Sequence, residues 1–523
     1  MENVVNNTAA PIEDPPRSTD EELARGGDGV DVSWYLATYP DVAAAGMDPV
    51  THYLQSGWRE RRDPRPDFST AGYLTLNDEV ARSGQNPLVH FLRNGGRNGE
   101  SAASPWHLFW SKGFLYPKLG AEPPSATQPF GAQGRQKILF VGHEATRTGA
   151  PLILLALMQA IERDTGAELF LVLERDGPLL ESYRRVAHVL VNRQGWLYGL
   201  LTRELFDQIA GPAPQLAICN CAETWRLLGR LRQEGLPYII VLIHERLSRY
   251  PVEAANVLSR DADRVIFPAH AVKRAAMEVY PQFRGSHVVP QGLLKDEFGL
   301  ADKTAARRAV RDELQVGADT RLVLGCGVRE PRKGLDLFVQ IAARVRSTAA
   351  VPVHFLWLGG DVQPTEFKQF VEHDIALLGL GASVTLMPET PDPEPYFLAA
   401  DVFTLTSRND PFPCVVQEAM ACAVPVVGFS DAGGAGEALA DGCGFIVPYL
   451  DLEAMAQHVR AVIERPADFA ALGGKAERRV RSQYRFADYA RRILAICAEL
   501  RRDRDGTTGR VAQPKRPETL ATI

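Results

Sequence analysis

The chain has 523 residues, enough for two or three domains with large cores, and its 45% hydrophobic and 23% charged content is ordinary for a globular protein. A formal net charge of −6 excludes nonspecific nucleic-acid binding, which needs a basic surface, so no nucleic-acid partner is expected. No apolar run reaches the roughly 18–20 residues of a membrane helix, and the seven cysteines, of which Cys219, Cys326 and Cys422 sit inside apolar runs, suggest buried, reduced thiols.

Residues 1–29 are rich in Pro, Asn, Asp, Glu and Gly and begin without a basic-then-apolar leader. That composition predicts a disordered N-terminus and a cytoplasmic location, with at most peripheral contact at the inner face of a membrane. Residues 30–100 hold a tandem duplication. Tyr35-Leu36 recurs as Tyr73-Leu74, Gly46 as Gly84, Pro49 as Pro87, His52 as His90, Gly57 as Gly95 and Arg59 as Arg97, always at an offset of 38. Each copy predicts a helix stopped by Gly, then a second helix with Pro in its first turn. Packing of the two histidines inside this helical module is favoured over ligand binding. The recurring Tyr and Arg positions suit docking of a protein partner or a glycan, and a stabilising cap is an equal reading of the module. Residues 101–136, rich in Pro, Gly and small polar residues, predict a linker.

From Lys137 onward, apolar strand-like runs alternate with helical lengths: KILFVG, ELFLVL, HVLVN, LAICN, YIIVLIH, RVIFP, HVVP, then RLVLGCG, VHFLWLGG, SVTLMP, VFTLTS and VPVVGF. Continuous apolar strands of this kind belong to parallel sheets covered on both faces. The pattern restarts after HVVPQGLLKDEF, so the fold class is α/β with two Rossmann-like domains, 137–295 and 296–500, facing a cleft. A polar tail, 501–523, is expected to be flexible.

Functional groups in such folds sit on loops after strand C-termini. In GHEATRTGAP, Gly149 permits close backbone approach at a helix start suited to a diphosphate. His244-Glu245 follows IIVLI, and GCGVREPRKG bunches Arg329, Arg332 and Lys333 where cations stabilise growing anionic charge on a leaving diphosphate. SRNDPFPCVVQEAMACAVPVVGFSDAGGAGE then carries Asp410 and Glu418, eight positions apart, followed by a strand and Gly433-Gly434 ending at Glu437. Neither His-Glu pair extends to His-Glu-x-x-His. Dinucleotide and Walker A patterns are absent, and Cys219-x-Cys221 lacks the CxxC spacing.

The block from Asp410 to Glu437 resembles the donor signature of retaining GT-B glycosyltransferases of family 4, which usually show Glu-x7-Glu where this chain has Asp-x7-Glu. The resemblance covers about residues 137–500. It implies a nucleotide-sugar donor, a glycan or lipid-linked acceptor, and assembly of a bacterial surface polysaccharide. No cofactor and no metal are implied, because cationic side chains and a helix N-terminus would serve in place of an ion. His244 would lie near the donor sugar and Asp410 would face its hydroxyls. Glu418 would bind the ribose, and Lys333 would meet the diphosphate; Val328 stands where an Arg often follows the glycine, so Arg329 or Arg332 would substitute for it, Arg329 being favoured. Backbone N–H groups of the loop Phe412 to Val415, which includes Pro413 and Cys414, would approach sugar or phosphate oxygens, with Gly433, Gly434 and Glu437 beside them. Alternatives are a catalytically degenerate scaffold, or a sugar-nucleotide epimerase or phosphorylase on the same fold.

Overall fold

The computed structural model describes residues 19–65, 68, 70, 73–74, 77–94, 115–116, 118–119, 135–191, 214–361 and 366–507. The chain divides into two compact units, the first taking in residues 1–116 and the second most of the chain after Gly131.

The first unit is helical. Helix α1, Asp20–Arg25, is closed by a capping box in which Thr19 and Glu22 exchange side chain-to-backbone bonds. The expectation of disorder over 1–29 is therefore corrected from Thr19 onward. Helices α2 (Val32–Thr38) and α3 (Pro40–Ala44) come next, then α4 (Pro49–His52), which widens into a π-helical turn at Tyr53–Gly57. Helices α5 (Asp78–Ser83) and α6 (Pro87–Arg93) repeat the second pair. The duplication is visible at atomic scale. Asp48 and Asn86 cap the two Pro-initiated helices, and Tyr35 Oη lies 3.0 Å from His52 Nδ1 while Tyr73 Oη lies 2.8 Å from His90 Nδ1. Tyr35, Val42, Val50, Tyr53, Phe68, Tyr73, Val80, Leu88 and Phe91 form one apolar core. The histidines pack within this unit. Most of residues 101–136 lie outside the described residues, although Leu115–Tyr116 is a short extended pair within that span.

The second unit holds both Rossmann-like domains. In the first, β1 (Lys137–Gly142), β2 (Glu168–Leu173), β3 (Ala187–Val191), β4 (Leu216–Cys219), β5 (Tyr238–Leu242), β6 (Arg264–Phe267) and β7 (His287–Val288) lie in the order β3-β2-β1-β4-β5-β6-β7, all parallel. The strands are apolar throughout because helices cover both faces; Ile138, Leu139, Phe140 and Val141 have no exposed surface. Among the helices of this domain are α7 (Gly149–Thr165) and α8 (His270–Val279).

In the second domain, β8 (Arg321–Cys326), β9 (Val353–Leu358), β10 (Val384–Met387), β11 (Val402–Leu405), β12 (Val426–Phe429) and β13 (Phe445–Val447) form a parallel sheet ordered β10-β9-β8-β11-β12-β13. Strand β13 is absent from the sequence expectation. Helix α9, Leu335–Thr348, packs Phe338 edge-on against Phe355 and Trp357, and helix α10, Cys414–Ala421, links β11 to β12. Each sheet reverses its winding once, between β1 and β4 and between β8 and β11. Such switch points open a crevice at the strand C-termini where ligands bind.

The last helix, α11 (Phe486–Thr507), returns to the first domain, where Arg264 pairs with Asp503 at 2.6 Å. The helix runs to Thr507, which corrects the expectation of a flexible tail starting at 501; residues 508–523 lie outside the described residues. No described helix is long and apolar enough to cross a membrane.

Candidate functional site

At the second switch point two loops are stitched together. Lys333 precedes Gly334, the left-handed N-cap of α9 (φ +75°), where an added Cβ would stand 2.1 Å from the Thr406 carbonyl oxygen. Only glycine lets the β8 loop lie this close to the end of β11. Arg408 forks onto Asp336 at 2.9 and 2.7 Å, its backbone N–H donates to the Arg332 carbonyl, and Arg332 donates to the Asn409 carbonyl at 3.1 Å. Within this seam Lys333 Nζ lies 2.5 Å from Asp410 Oδ2, both side chains being largely buried, and Ser407 Oγ adds a bond to the same oxygen at 3.3 Å. Sequence reasoning gave Lys333 and Asp410 separate contacts; the structure pairs them.

The arginines are occupied elsewhere. Arg329 donates to the Met387 carbonyl at 2.7 Å and pairs with Asp361 at 3.3 Å, its side chain buried across the ends of β9 and β10. Arg332 pairs with Glu330 at 2.5 Å. Neither makes a bond to Lys333 or Asp410.

Beyond Asp410 the chain is held by Gly433. Its φ is +150°, and an added Cβ would lie 1.8 Å from the Asp410 carbonyl oxygen, so any side chain would push the two loops apart. Asp410 N–H donates to Ala432 O and Gly434 N–H to Pro411 O, both at 2.7 Å. Helix α10 starts here with Pro413 as N-cap and without a side-chain cap bond. Pro413 has no N–H, so the expected row of backbone donors reduces to Phe412, Cys414 and Val415. Burial pushes the Cys414 thiol up to about 12, so it stays protonated and uncharged. Glu418 sits on the second turn of α10 rather than at its opening. Its carboxyl group makes no hydrogen bond or ion pair among the described residues, while its backbone carbonyl accepts from the Cys422 N–H. Burial, with Lys295 only partly offsetting it, pushes its carboxyl from 4.5 up to about 7.

The first switch point faces this one with a polar cluster of its own. His244, after β5, places Nε2 3.1 Å from Asn220 Oδ1, and the Asn220 amide donates to the Ala150 carbonyl at 2.7 Å. Burial, reinforced by His143, pushes His244 down to about 3, so the ring is neutral. Glu245 accepts from the backbone N–H of Ala222 at 3.1 Å and of His244 at 3.2 Å, with its carboxyl raised by burial. His143 Nδ1 lies 3.1 Å from Cys221 Sγ, and the bond to His143 is the main influence holding the Glu144 carboxyl down at about 2. Gly149 opens α7, and an added Cβ there would meet open space. Asn220 directly follows β4 and carries no motif of its own, and the placement of functional groups on loops after strand C-termini is the one sequence signal that points to it.

The two domains meet at their C-terminal edges. Glu437 accepts the backbone N–H groups of His270 at 3.0 Å and Ala271 at 2.6 Å, capping α8 of the other domain, and Arg246 donates to the Asp431 carbonyl. Glu437, expected to bind the donor, is here an interdomain cap.

Two parallel doubly wound sheets meeting at their C-terminal edges define the GT-B class. The crystal structure of HepE from Anabaena in complex with UDP-glucose has this fold, with a TM-score of 0.62 at 20% identity over 70% of this chain and 100% of that one. Within that class, residues 320–465 match the family described as glycosyl transferases group 1. Over 237 residues the chain is 31% identical to a D-inositol 3-phosphate glycosyltransferase of Kineococcus radiotolerans, across 42% of this chain and 53% of that one. A lipopolysaccharide core biosynthesis mannosyltransferase, LpcC, of Rhizobium leguminosarum bv. viciae is 30% identical over 187 residues, or 34% and 51% of the two chains. The chain thus spans about half the length of these curated relatives.

Proposed function

We propose that this protein transfers a sugar from a nucleotide-sugar donor to a glycan or lipid-linked acceptor with retention at the anomeric carbon, in bacterial surface polysaccharide assembly. The observation that carries the reading is the second switch point, inside the segment that matches the group 1 family. There a Lys333–Asp410 pair, the start of α10 and an unpartnered Glu418 converge. Glu418 would accept the ribose hydroxyls. Lys333 and the first N–H groups of α10 would draw charge from the diphosphate as the glycosidic bond loosens, stabilising the transition state more than the ground state. His244, neutral and adjacent to Asn220, would face the donor sugar. Lys333 supplies the positive charge that a divalent ion supplies elsewhere, so the reaction would proceed without metal. The relatives' names, one a D-inositol 3-phosphate glycosyltransferase and one a lipopolysaccharide core biosynthesis mannosyltransferase, support sugar transfer.

The test is a panel of UDP-, GDP-, dTDP- and ADP-sugars, with the product's anomeric configuration read by proton NMR in the presence of EDTA. Transfer with retention, unaffected by EDTA, is expected. An inverted product would overturn the retaining mechanism. A loss restored only by Mg²⁺ or Mn²⁺ would overturn the metal-free site. Interconversion of the free donors without transfer would favour an epimerase.

A further inference from the structure

Three residues from three separate segments meet at the first switch point: Ala150 in the first turn of α7, Asn220 after β4 and His244 after β5. A backbone carbonyl only accepts hydrogen bonds, so the atom 2.7 Å from the Ala150 oxygen must be the Asn220 amide nitrogen. The reverse orientation would set two oxygens against each other. The amide oxygen is then the atom facing His244 Nε2 at 3.1 Å, and an oxygen there requires that Nε2 carry the proton. We propose that Asn220 is a positioning residue, locking His244 as the Nε2–H tautomer so that Nδ1 is offered to the ligand as an acceptor.

The surroundings agree. Burial keeps the ring neutral, so Nδ1 holds a lone pair. Of the titratable groups around it, His143 is engaged with Cys221 and Glu144, and the Glu245 carboxylate is turned onto two backbone N–H groups, one of them that of His244 itself. Nδ1 makes no hydrogen bond among the described residues. An acceptor nitrogen selects its partner: a sugar hydroxyl can donate to it, whereas a carboxylate, phosphate or ether oxygen cannot. That selectivity rests on the proposed function, but the tautomer does not.

The test is nitrogen-15 NMR of the full-length protein labelled at histidine, with the His244 signals identified by their loss in His244→Gln. The wild type at neutral pH should show a proton on Nε2 and none on Nδ1. A proton on Nδ1, or on both nitrogens, would overturn the assignment whether or not sugar transfer is ever observed. Asn220→Leu should release the ring into a mixture of tautomers, and an undisturbed Nε2–H form would equally defeat the proposal. The wild-type spectrum decides the tautomer even if a variant does not fold.

Discussion

At the scale of single residues, Glu418 sets stability against binding. A carboxyl raised from 4.5 to about 7 stabilises the fold while protonated, and that contribution is lost as pH rises from the ordinary carboxylate range through about 7. Glu418→Gln should therefore melt with the wild type at pH 5 and above it at pH 8, a difference read by calorimetry. In the role proposed for it, Glu418 accepts ribose hydroxyls best as the anion, so donor affinity should tighten about tenfold between pH 6 and 8 with proton release below 7. Titration calorimetry in buffers of different ionisation enthalpy would show it, and Glu418→Gln should bind weakly without pH dependence. Lys333 and Asp410 pose a different question, because each leaves the other's charge largely buried and uncompensated. Lys333→Ala and Asp410→Ala should each cost about 2–4 kcal/mol of stability, with the double variant well short of their sum. Additive denaturation midpoints would mean that the pair is not coupled. Loss of transfer should exceed tenfold in both single variants, measured at a temperature where they remain folded.

At the scale of elements, the duplicated helices make the Tyr–His bond a local stabiliser. Tyr35→Phe strands His52 Nδ1 in the core and should cost about 1–2 kcal/mol. Tyr73→Phe, at a less buried site, should cost less. Hydrogen exchange over residues 30–93 measures both, and equal protection in wild type and Tyr35→Phe would show that the bond carries nothing. The 38-residue offset was legible because it needs no tertiary information, and the long strands were legible because burial on both faces makes them apolar from end to end. Strand β13 was not, since its three residues merge into a turn-rich stretch. Lys333, Asp410 and Glu418 stood out through their spacing and the resemblance it carries. What escaped was partnership. Nothing local in Arg329 says that it will bury itself against the Met387 carbonyl, and nothing in Glu437 says that it will cap a helix some 170 residues earlier in the chain.

For the whole molecule, the Glu437 cap on α8 ties the second α/β domain to the first, so ligand entry and exit between them must work against it. Glu437→Ala should raise the radius of gyration seen by X-ray scattering and raise the donor KM more than it lowers kcat. Unchanged scattering and KM would show the contact to be incidental. The return of α11 has a consequence for how the chain is made. Arg264 finds Asp503 only 239 positions later, so the first α/β domain leaves the ribosome with part of its surface waiting for the last helix. At roughly 5–20 residues per second that wait lasts on the order of 10–50 s. During it the surface of the first domain on which α11 packs stays open, and a chaperone would have its longest opportunity there.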